Sequence, residues 1–339
     1  MFSQHLWFLV NALSLGGRMN VSEQTYSEWL AQKDEPNSLR ISLFLIEIVL
    51  HVGTIVTNIV FIICVSQTST FHKNLKLMCV NNHGILVAGA TIRMAIVINI
   101  ISFDFFFSCQ QKTYLNMIRG TLIVATKFSY LNVVAERAVA TKKAARYEGS
   151  GFTSGVVILV IWWTLCGLLG IFEPLLFIVI VSLILPAISI ILMEKYNKRQ
   201  YHSLPQMAKS LSARYQIVEN IRTLRMFRRW SYLYVVVIFL EAIMLFMNVS
   251  LVLPRGMIYE WRLISNLYDM LFVSYTLICP LFLIRAHPHL QIAFDRLLYG
   301  KTTSKRFPRD VSQKYIHHED ANAYFERLHS TWQRHMSAY

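Results

Sequence analysis

Five ionisable side chains lie within long apolar stretches of this sequence, where a charge requires compensation. They are Glu47, Arg93, Lys127, Glu241 and Asp269. A charge at the centre of a bilayer costs about 2.5–3.5 kcal/mol on insertion scales, so such residues usually face a bundle interior and find partners there. Two interpretations follow: structural ion pairs between helices, or a polar pocket that binds a ligand.

The level of each charge along its apolar segment suggests which groups can meet. Glu47, Arg93 and Asp269 fall at a similar level in the outer half, whereas Lys127 and Glu241 fall near the middle. We expect Arg93 and Asp269 to pair, because they have opposite charges and lie on segments two and seven. Two acids and one base at one level then predict one ion pair and one unpaired acid.

The third apolar segment carries basic and aromatic residues on one face. Arg119 and Arg137 are 18 residues apart, which is five helical turns. Lys127 and Tyr130 lie within about a quarter-turn of the same face. If Arg137 faces the bundle interior, this whole face does. The candidate ligand pocket is therefore bordered by Arg93, Arg119, Lys127 and Asp269, with Tyr268 nearby.

The composition indicates that a membrane bundle positions these residues. Of the 339 residues, 55% are hydrophobic and 15% charged, against about 25% charged in soluble domains. A spanning helix needs about 20 mainly apolar residues. Seven segments qualify and predict an all-α, seven-helix membrane protein: 42–65, 77–101, 115–139, 153–171, 175–193, 232–252 and 263–284.

The distribution of Lys and Arg predicts the orientation. With the N-terminus outside, 24 of the 33 basic residues lie in cytoplasmic loops and the tail, and six lie in external segments. Residues 1–41 are then extracellular, 42–284 form the membrane domain, and 285–339 are cytoplasmic. The location of the basic residues explains the net charge of +14 without nucleic acid. The sequon at Asn20 lies outside, as glycosylation requires.

Two amphipathic helices are predicted on the cytoplasmic side. Apolar residues recur in steps of three and four from Leu204 to Phe227, which predicts a helix that continues into the sixth span. Beyond the seventh span, Pro288 suits a first helical position and Gly300 suits a C-cap. The apolar face of this last helix should lie on the membrane, and it comprises Leu290, Phe294, Leu297 and Leu298.

The end of the third segment carries a longer motif, "ERAVATKKAARYE", from Glu136 to Glu148. Alone, an acid–Arg pair at a helix end is equally well explained by snorkelling to the interface. Together with "FHKNLKL" before the second span and "SLSARYQIVENIR" before the sixth, the sequence resembles the nematode serpentine chemoreceptors of the Sra, Srab, Srb and Sre group. It most resembles Sre, the epsilon class of these G-protein-coupled receptors.

The resemblance implies a receptor that binds an external small molecule and activates a heterotrimeric G protein, without a cofactor or catalysis. It also implies the plasma membrane, at the cilium of chemosensory neurons. In such receptors the arginine equivalent to Arg137 is restrained by its acidic neighbour when inactive and faces the G protein when active. The residues implied in coupling and switching are Glu136, Arg137, Tyr147, Glu148, Arg214, Glu219 and Pro280.

The sequence departs from the better-known rhodopsin-like receptors in three ways. The sixth span contains no proline, so no proline-kinked switch is available there. Leu283 stands where those receptors usually have tyrosine. The linker between the fourth and fifth spans contains no cysteine that could bridge to Cys109. A standard extracellular disulfide is therefore not expected, and the sequence leaves the details of switching open.

Other functional classes have weaker support. A transporter or channel would also use intramembrane charges, but transporters usually show inverted repeats, and none is visible. No HExxH or GxSxG motif and no facing aspartate pair indicates an enzyme. The five cysteines show no CxxC spacing, so no zinc site is predicted. The stretch Leu6–Leu15 is too short to span and lacks the basic start of a signal peptide.

Overall fold

The computed structural model describes residues 36–68, 71–142, 151–172, 175–202 and 211–300. Every regular element in these ranges is helical. The sixth helix continues into a short π-helix (Asn248–Val252) and a 3-10 turn (Leu253–Arg255). The α-helices are α1 (Ser38–Gln67), α2 (Lys73–Ile101), α3 (Cys109–Lys142), α4 (Thr153–Phe172), α5 (Leu175–His202), α6 (Leu211–Met247), α7 (Ile258–Ala286) and α8 (Pro288–Tyr299).

The seven apolar segments of the sequence each lie almost wholly within one of the helices α1 to α7, with the end of the sixth in the π-helix. By length and composition, four described stretches could cross a membrane: Ser38–Gln67, Lys73–Ile101, Ile217–Val252 and Ile258–Ala286. Thr153–Leu169 in α4 is a shorter apolar helix. Helix α3 is not among the four, and it is the helix that carries the basic face predicted above.

Local sequence explains where two of the helices begin or end. Asn37 caps α1, because its side-chain oxygen accepts a hydrogen bond from the backbone N–H of Arg40 at 3.0 Å. Pro288 lies in the first turn of α8, where its missing N–H has no helical partner to lose. Gly300 ends α8 with a φ of 63°, the left-handed conformation that favours glycine. Both predicted ends of α8 are confirmed.

The distribution of side chains is that of a protein surrounded by lipid. Large apolar residues protrude from α1, α4 and α6: Val49 is 71% exposed, and Val160 and Phe246 are each 60% exposed. Ionisable and amide side chains, in contrast, are buried between the helices. Apolar exteriors of this extent are rare on soluble monomers, whereas in a bilayer the polar groups must be satisfied inside the protein.

Helix α3 lies at the centre of the bundle and contacts α2, α4, α5 and α6. Helix α1 packs between α2 and α7, while α6 packs between α5 and α7. Helix α8 lies against α1 and α7, with Leu290 fully buried at that contact. The basic face of α3 therefore looks onto the other helices, which is the orientation predicted from its spacing.

Helix α7 runs through Pro280 without interruption, although proline cannot donate a backbone hydrogen bond. The carbonyl deprived of its partner belongs to Thr276, four residues earlier. Asn58 of α1 replaces that partner, because its side-chain Nδ2 donates to the Thr276 carbonyl at 3.2 Å. His83 Nδ1 in turn lies 2.6 Å from Asn58 Oδ1. These contacts join α1, α2 and α7.

We expect Asn58→Leu to lower the free energy of unfolding by about 1–3 kcal/mol, because it leaves the buried Thr276 carbonyl unsatisfied. The measurement is thermal unfolding of the purified protein. Thr57→Val is the matched control: the Thr57 hydroxyl donates to the Leu277 carbonyl at 3.4 Å, but that carbonyl has a helical partner of its own. Equal losses in the two variants would contradict this role for Asn58.

Candidate functional site

Four charged side chains from four helices meet at one level of the bundle. Arg93 Nε donates to Glu47 Oε1 at 2.7 Å, and its Nη2 donates to Glu47 Oε2 at 3.3 Å. Arg93 Nη2 also lies 2.8 Å from Asp269 Oδ2. Arg119 Nη2 donates to the other Asp269 oxygen, Oδ1. We call these residues the four-charge cluster; their formal charges sum to zero.

The contact between Arg93 and Asp269 agrees with the sequence prediction, but the predicted unpaired acid is wrong. Glu47 binds Arg93 through both carboxylate oxygens, so Arg93 forms ion pairs with two acids, Glu47 and Asp269. Arg119 supplies the second positive charge. The sequence placed Arg119 on the pocket border but not with the other three residues, because it lies nearer the end of its segment.

A cleft opens beside the four-charge cluster between α1, α2, α3 and α7. The empty space in it is about 430 Å³, a figure that includes space open to the outside. Its polar lining consists of His51, Arg93, Arg119, Thr126, Asp269 and Thr276. The Arg119 side chain is 19% exposed, against 10% for Arg93 and 9% for Asp269. Its apolar lining includes Ile85, Leu86, Leu122, Ile123 and Phe272.

A second charged pair, Lys127 and Glu241, links α3 to α6 and is almost completely buried. Lys127 Nζ donates to Glu241 Oε2, and the Tyr268 hydroxyl donates to the same oxygen at 3.3 Å. The rings of Tyr268 and Phe272 lie 5.9 and 5.8 Å from Lys127 Nζ, within the range of cation–π attraction. Two of the predicted pocket residues therefore do not line the cleft: Lys127 is a member of this buried pair, and Tyr268 binds its carboxylate.

An aromatic layer lies next to this pair, on the side toward Arg137. We define it as Tyr130, Trp230, Tyr234 and Tyr275. The Tyr130 and Tyr275 hydroxyls are 3.1 Å apart, and the Trp230 and Tyr275 ring centroids are 4.7 Å apart. Tyr234 donates to the backbone carbonyl of Lys127 at 2.7 Å. Sequence reasoning identified only Tyr130, although the aromatic residues in "RRWSYLY" were a visible signal in α6.

Arg137 lies at the other end of α3 and is held by two helices. Its Nε and Nη2 donate to the two carboxylate oxygens of Glu136 at 2.5 and 2.7 Å. Its Nη1 donates to Asn220 Oδ1 of α6 at 2.7 Å. Arg137 and Glu136 are each 1% exposed. Snorkelling to the interface does not describe this geometry, because the guanidinium points into protein.

The polar network around Arg137 continues to α5. Asn220 Nδ2 donates to the Thr141 hydroxyl at 3.1 Å, and that hydroxyl lies 2.8 Å from Asn197 Oδ1. Asn197 and Asn220 are fully buried. Both asparagines were missed from sequence. The signal for Asn220 was present, because it belongs to the same "VENIR" segment that carries Glu219.

Glu219 joins α6 to the start of α8. Its Oε1 lies 3.5 Å from His287 Nε2, and its Oε2 lies 3.8 Å from Arg222 Nη1. His287 precedes α8 and is 2% exposed. Burial and the neighbouring His287 lower the pKa of His289. Glu219 is also the sequence neighbour of Asn220, the α6 residue that binds Arg137.

Two of the five remaining candidate residues, Pro280 and Arg214, lie within the described ranges. Pro280 is buried in α7 at the Asn58 contact described above. Arg214 lies in α6, but its side chain is not among those described. Asn20, Tyr147 and Glu148 lie outside the described residues.

Within the described ranges, no group of three or more His, Cys, Asp and Glu side chains could hold a metal ion. Cys64, Cys79, Cys166 and Cys279 are free and buried. The side chain of Cys109 is outside the described set.

Comparison with protein families identifies one matching model. No curated protein matches the chain. The family model described as Sre G protein-coupled chemoreceptor matches residues 20–333, which is most of the sequence. That match includes all three motifs on which the resemblance rested. The chain therefore belongs to the Sre family of G-protein-coupled chemoreceptors.

Proposed function

We propose that this chemoreceptor crosses the plasma membrane seven times, with residues 1–41 outside, 42–284 as the membrane domain and 285–339 in the cytoplasm. An external small molecule binds in the cleft beside the four-charge cluster, and a heterotrimeric G protein binds at the face that holds Arg137. Family membership supports a sensory role, and we place the receptor in the ciliary membrane of chemosensory neurons.

The observation that carries this proposal is the burial of Arg137 between α3 and α6. With 1% exposure, Arg137 is not accessible to a partner protein. Its contact with Asn220 must break before α6 can move away from α3. A hydrogen bond to a charged group contributes about 1.5–3 kcal/mol. The described conformation therefore represents the inactive state, and the G protein binds a state in which Arg137 is released.

The cleft and Arg137 are connected through the contact between α3 and α6. Arg119 at the cleft, the Lys127–Glu241 pair, the aromatic layer and Arg137 follow one another along the same face of α3. A ligand changes the population of two states only through its differential affinity for them. We infer that the favoured ligand changes the position of Arg119 relative to Asp269, and that the active state accommodates this change.

The transporter interpretation has less support than the receptor. The intramembrane charges that motivated it are joined in ion pairs: Glu47, Arg93, Arg119 and Asp269 in one group, Lys127 and Glu241 in another. Helix α7 is continuous at its proline, whereas transporter sites are usually formed by broken helices. Family membership favours reception.

The direct test is a ligand panel applied to cells that express the full chain with a promiscuous G protein. We expect at least one small organic molecule to raise second-messenger output. Gly89 of α2 lines the cleft, and Gly89→Leu, which adds an alkyl side chain there, should abolish that response at equal surface expression. A response that persists in Gly89→Leu would place the ligand elsewhere and contradict the proposed site.

We expect Glu136→Gln to raise basal G-protein signalling by about fivefold or more, because an amide replaces the carboxylate that binds Arg137 through two oxygens. A loss of about 1 kcal/mol changes a two-state population by about fivefold. Basal signalling is measured at matched surface expression. Asp295→Asn is the control, because it removes one carboxylate from α8 without contacting Arg137. Unchanged basal output in Glu136→Gln would contradict the restraining role.

A further inference from the structure

The charge balance of the cleft restricts the chemistry of its ligand. Every carboxylate oxygen of the four-charge cluster already accepts from, or lies against, an arginine nitrogen: Glu47 uses both oxygens on Arg93, and Asp269 divides its two between Arg93 and Arg119. The carboxylate acceptors of the cluster are therefore occupied. A ligand that needs to donate a hydrogen bond finds no carboxylate oxygen without an arginine partner.

Arg119, in contrast, has more N–H donors than its described hydrogen bonds use. A guanidinium has five N–H groups, and among the described residues only one of its nitrogens, Nη2, makes a hydrogen bond to protein, at Asp269. Arg119 lines the cleft and is the most exposed member of the cluster. A ligand that presents an acceptor oxygen can bind these N–H groups without displacing Asp269.

The net charge of the four-charge cluster indicates whether the ligand is a neutral hydrogen-bond acceptor or an anion. The four-charge cluster is formally neutral, and it is buried. A carboxylate ligand would leave an uncompensated negative charge in a low-dielectric site, which is costly, whereas a carbonyl oxygen would not. Outside the cluster the lining includes His51 and the hydroxyls of Thr126 and Thr276, but most of it is apolar, with Leu86 and Phe272 among it, which suits an alkyl chain.

Gly89 determines how much space that chain has. It lines the cleft on α2, and a Cβ added there would meet no atom within 4 Å. A larger side chain at this position can therefore enter the cleft without a clash of its first atom. Gly84 provides a matched site on the same helix: a Cβ there also meets nothing within 4 Å, and Gly84 does not line the cleft.

We infer that the cleft binds small, uncharged organic molecules with a carbonyl acceptor and a short alkyl chain, that Arg119 donates to the carbonyl, and that Gly89 limits chain size. This inference rests on the proposed ligand site and specifies its chemistry. Arg119 thus contributes to the fold through Asp269 and to recognition through its remaining N–H groups.

The experiment compares three nearly isosteric probes on the purified full chain. They are 2-hexanone, pentanoate and 2-methyl-1-hexene, in which the carbonyl oxygen is retained, accompanied by a second charged oxygen, or replaced by a methylene. 2-Butanone and 2-octanone extend the ketone series in length. Affinity is obtained from ligand-induced thermal stabilisation. We expect 2-hexanone to bind about tenfold more tightly than either isostere, as one hydrogen bond to a charged donor provides.

Three variants separate recognition from folding. Arg119→Lys keeps the charge and can pair with Asp269, but it lacks the planar set of additional N–H groups. It should remove the preference for 2-hexanone over 2-methyl-1-hexene and leave the affinity for the alkene unchanged. Gly89→Leu should remove binding of all probes, whereas Gly84→Leu should bind them like the unaltered chain.

The outcomes distinguish the ligand class from the receptor function. Tighter binding of pentanoate than of 2-hexanone, equal binding of the ketone and the alkene, or stabilisation by none of the ketones would overturn the inference. An unchanged ketone preference in Arg119→Lys would do the same. G-protein output is measured separately in cells: binding of 2-hexanone without any output would contradict the proposed coupling and leave the inferred ligand class standing.

Discussion

Replacing Lys127 by methionine is expected to remove most of the receptor from the cell surface. The substitution leaves Glu241, which is fully buried, with only the Tyr268 hydroxyl as a described partner. Breaking one partner of a buried ion pair costs about 3–5 kcal/mol, a large fraction of the roughly 5–15 kcal/mol by which folded proteins are stable. Glu241→Gln should be similarly damaging, because it leaves the Lys127 ammonium buried.

The double variant Lys127→Met/Glu241→Gln should recover most of the surface expression, because neither charge remains. Surface expression of the two single variants and the double variant is measured by labelling of an extracellular tag, with total protein as the reference. Additive losses in the double variant would show that the two residues do not stabilise each other.

The four-charge cluster provides the matched control for this rescue. Arg93 and Asp269 also have opposite charges and are in contact, but each also binds a second group. The double variant Arg93→Met/Asp269→Asn leaves Glu47 without Arg93 and Arg119 without Asp269. Its expression should therefore remain low, in contrast to the Lys127/Glu241 double variant. Equal recovery of surface expression in the two double variants would indicate that Arg93 and Asp269 form an independent pair, as Lys127 and Glu241 do.

The difference between these two sites shows what hydropathy can and cannot predict. The level of Glu47, Arg93 and Asp269 along their segments was readable by counting residues, and it brought Arg93 and Asp269 together correctly. Counting does not give the rotation of a helix about its axis or the tilt that brings Arg119 to the same level. Those are set by side-chain packing between the helices, so the number of ion pairs at that level was wrong.

The helices themselves were largely predictable because the physical signals were strong. Long apolar segments located α1 to α7, and Pro288 with Gly300 located both ends of α8. The π-helix at Asn248–Val252 had no such signal. The spacing on α3 correctly turned Arg119, Lys127, Tyr130 and Arg137 inward, because the 3.6-residue period is fixed by the backbone.

Partners of these inward residues were harder to predict than the residues themselves. Asn220 binds Arg137 across 83 residues of sequence; the "VENIR" segment drew attention to this part of α6, but nothing in it indicates which residue of α3 Asn220 meets. Glu136 was predictable because it is adjacent to Arg137. Local pairs can be read from sequence, whereas pairs between helices depend on how α3 and α6 face each other.

Arg137→Ala should reach the cell surface and bind ligand, yet give no G-protein response. The proposed active state requires the guanidinium that is now bound by Glu136 and Asn220 to contact the G protein, and alanine cannot replace it. The cleft lies at the opposite end of α3, so binding affinity should change little. The measurements are surface expression, thermal stabilisation by ligand and second-messenger output, each from the same preparation of cells.

Removal of Arg137 also removes two hydrogen bonds from the buried Glu136 carboxylate, so reduced expression could imitate a loss of coupling. The double variant Glu136→Gln/Arg137→Ala removes that charge as well and serves as the folding control. It should be expressed at least as well as Arg137→Ala and should still be silent, because folding is repaired and the contact with the G protein is not. A ligand response from either variant at normal surface expression would show that Arg137 is not the coupling residue and that its role is confined to joining α3 to α6.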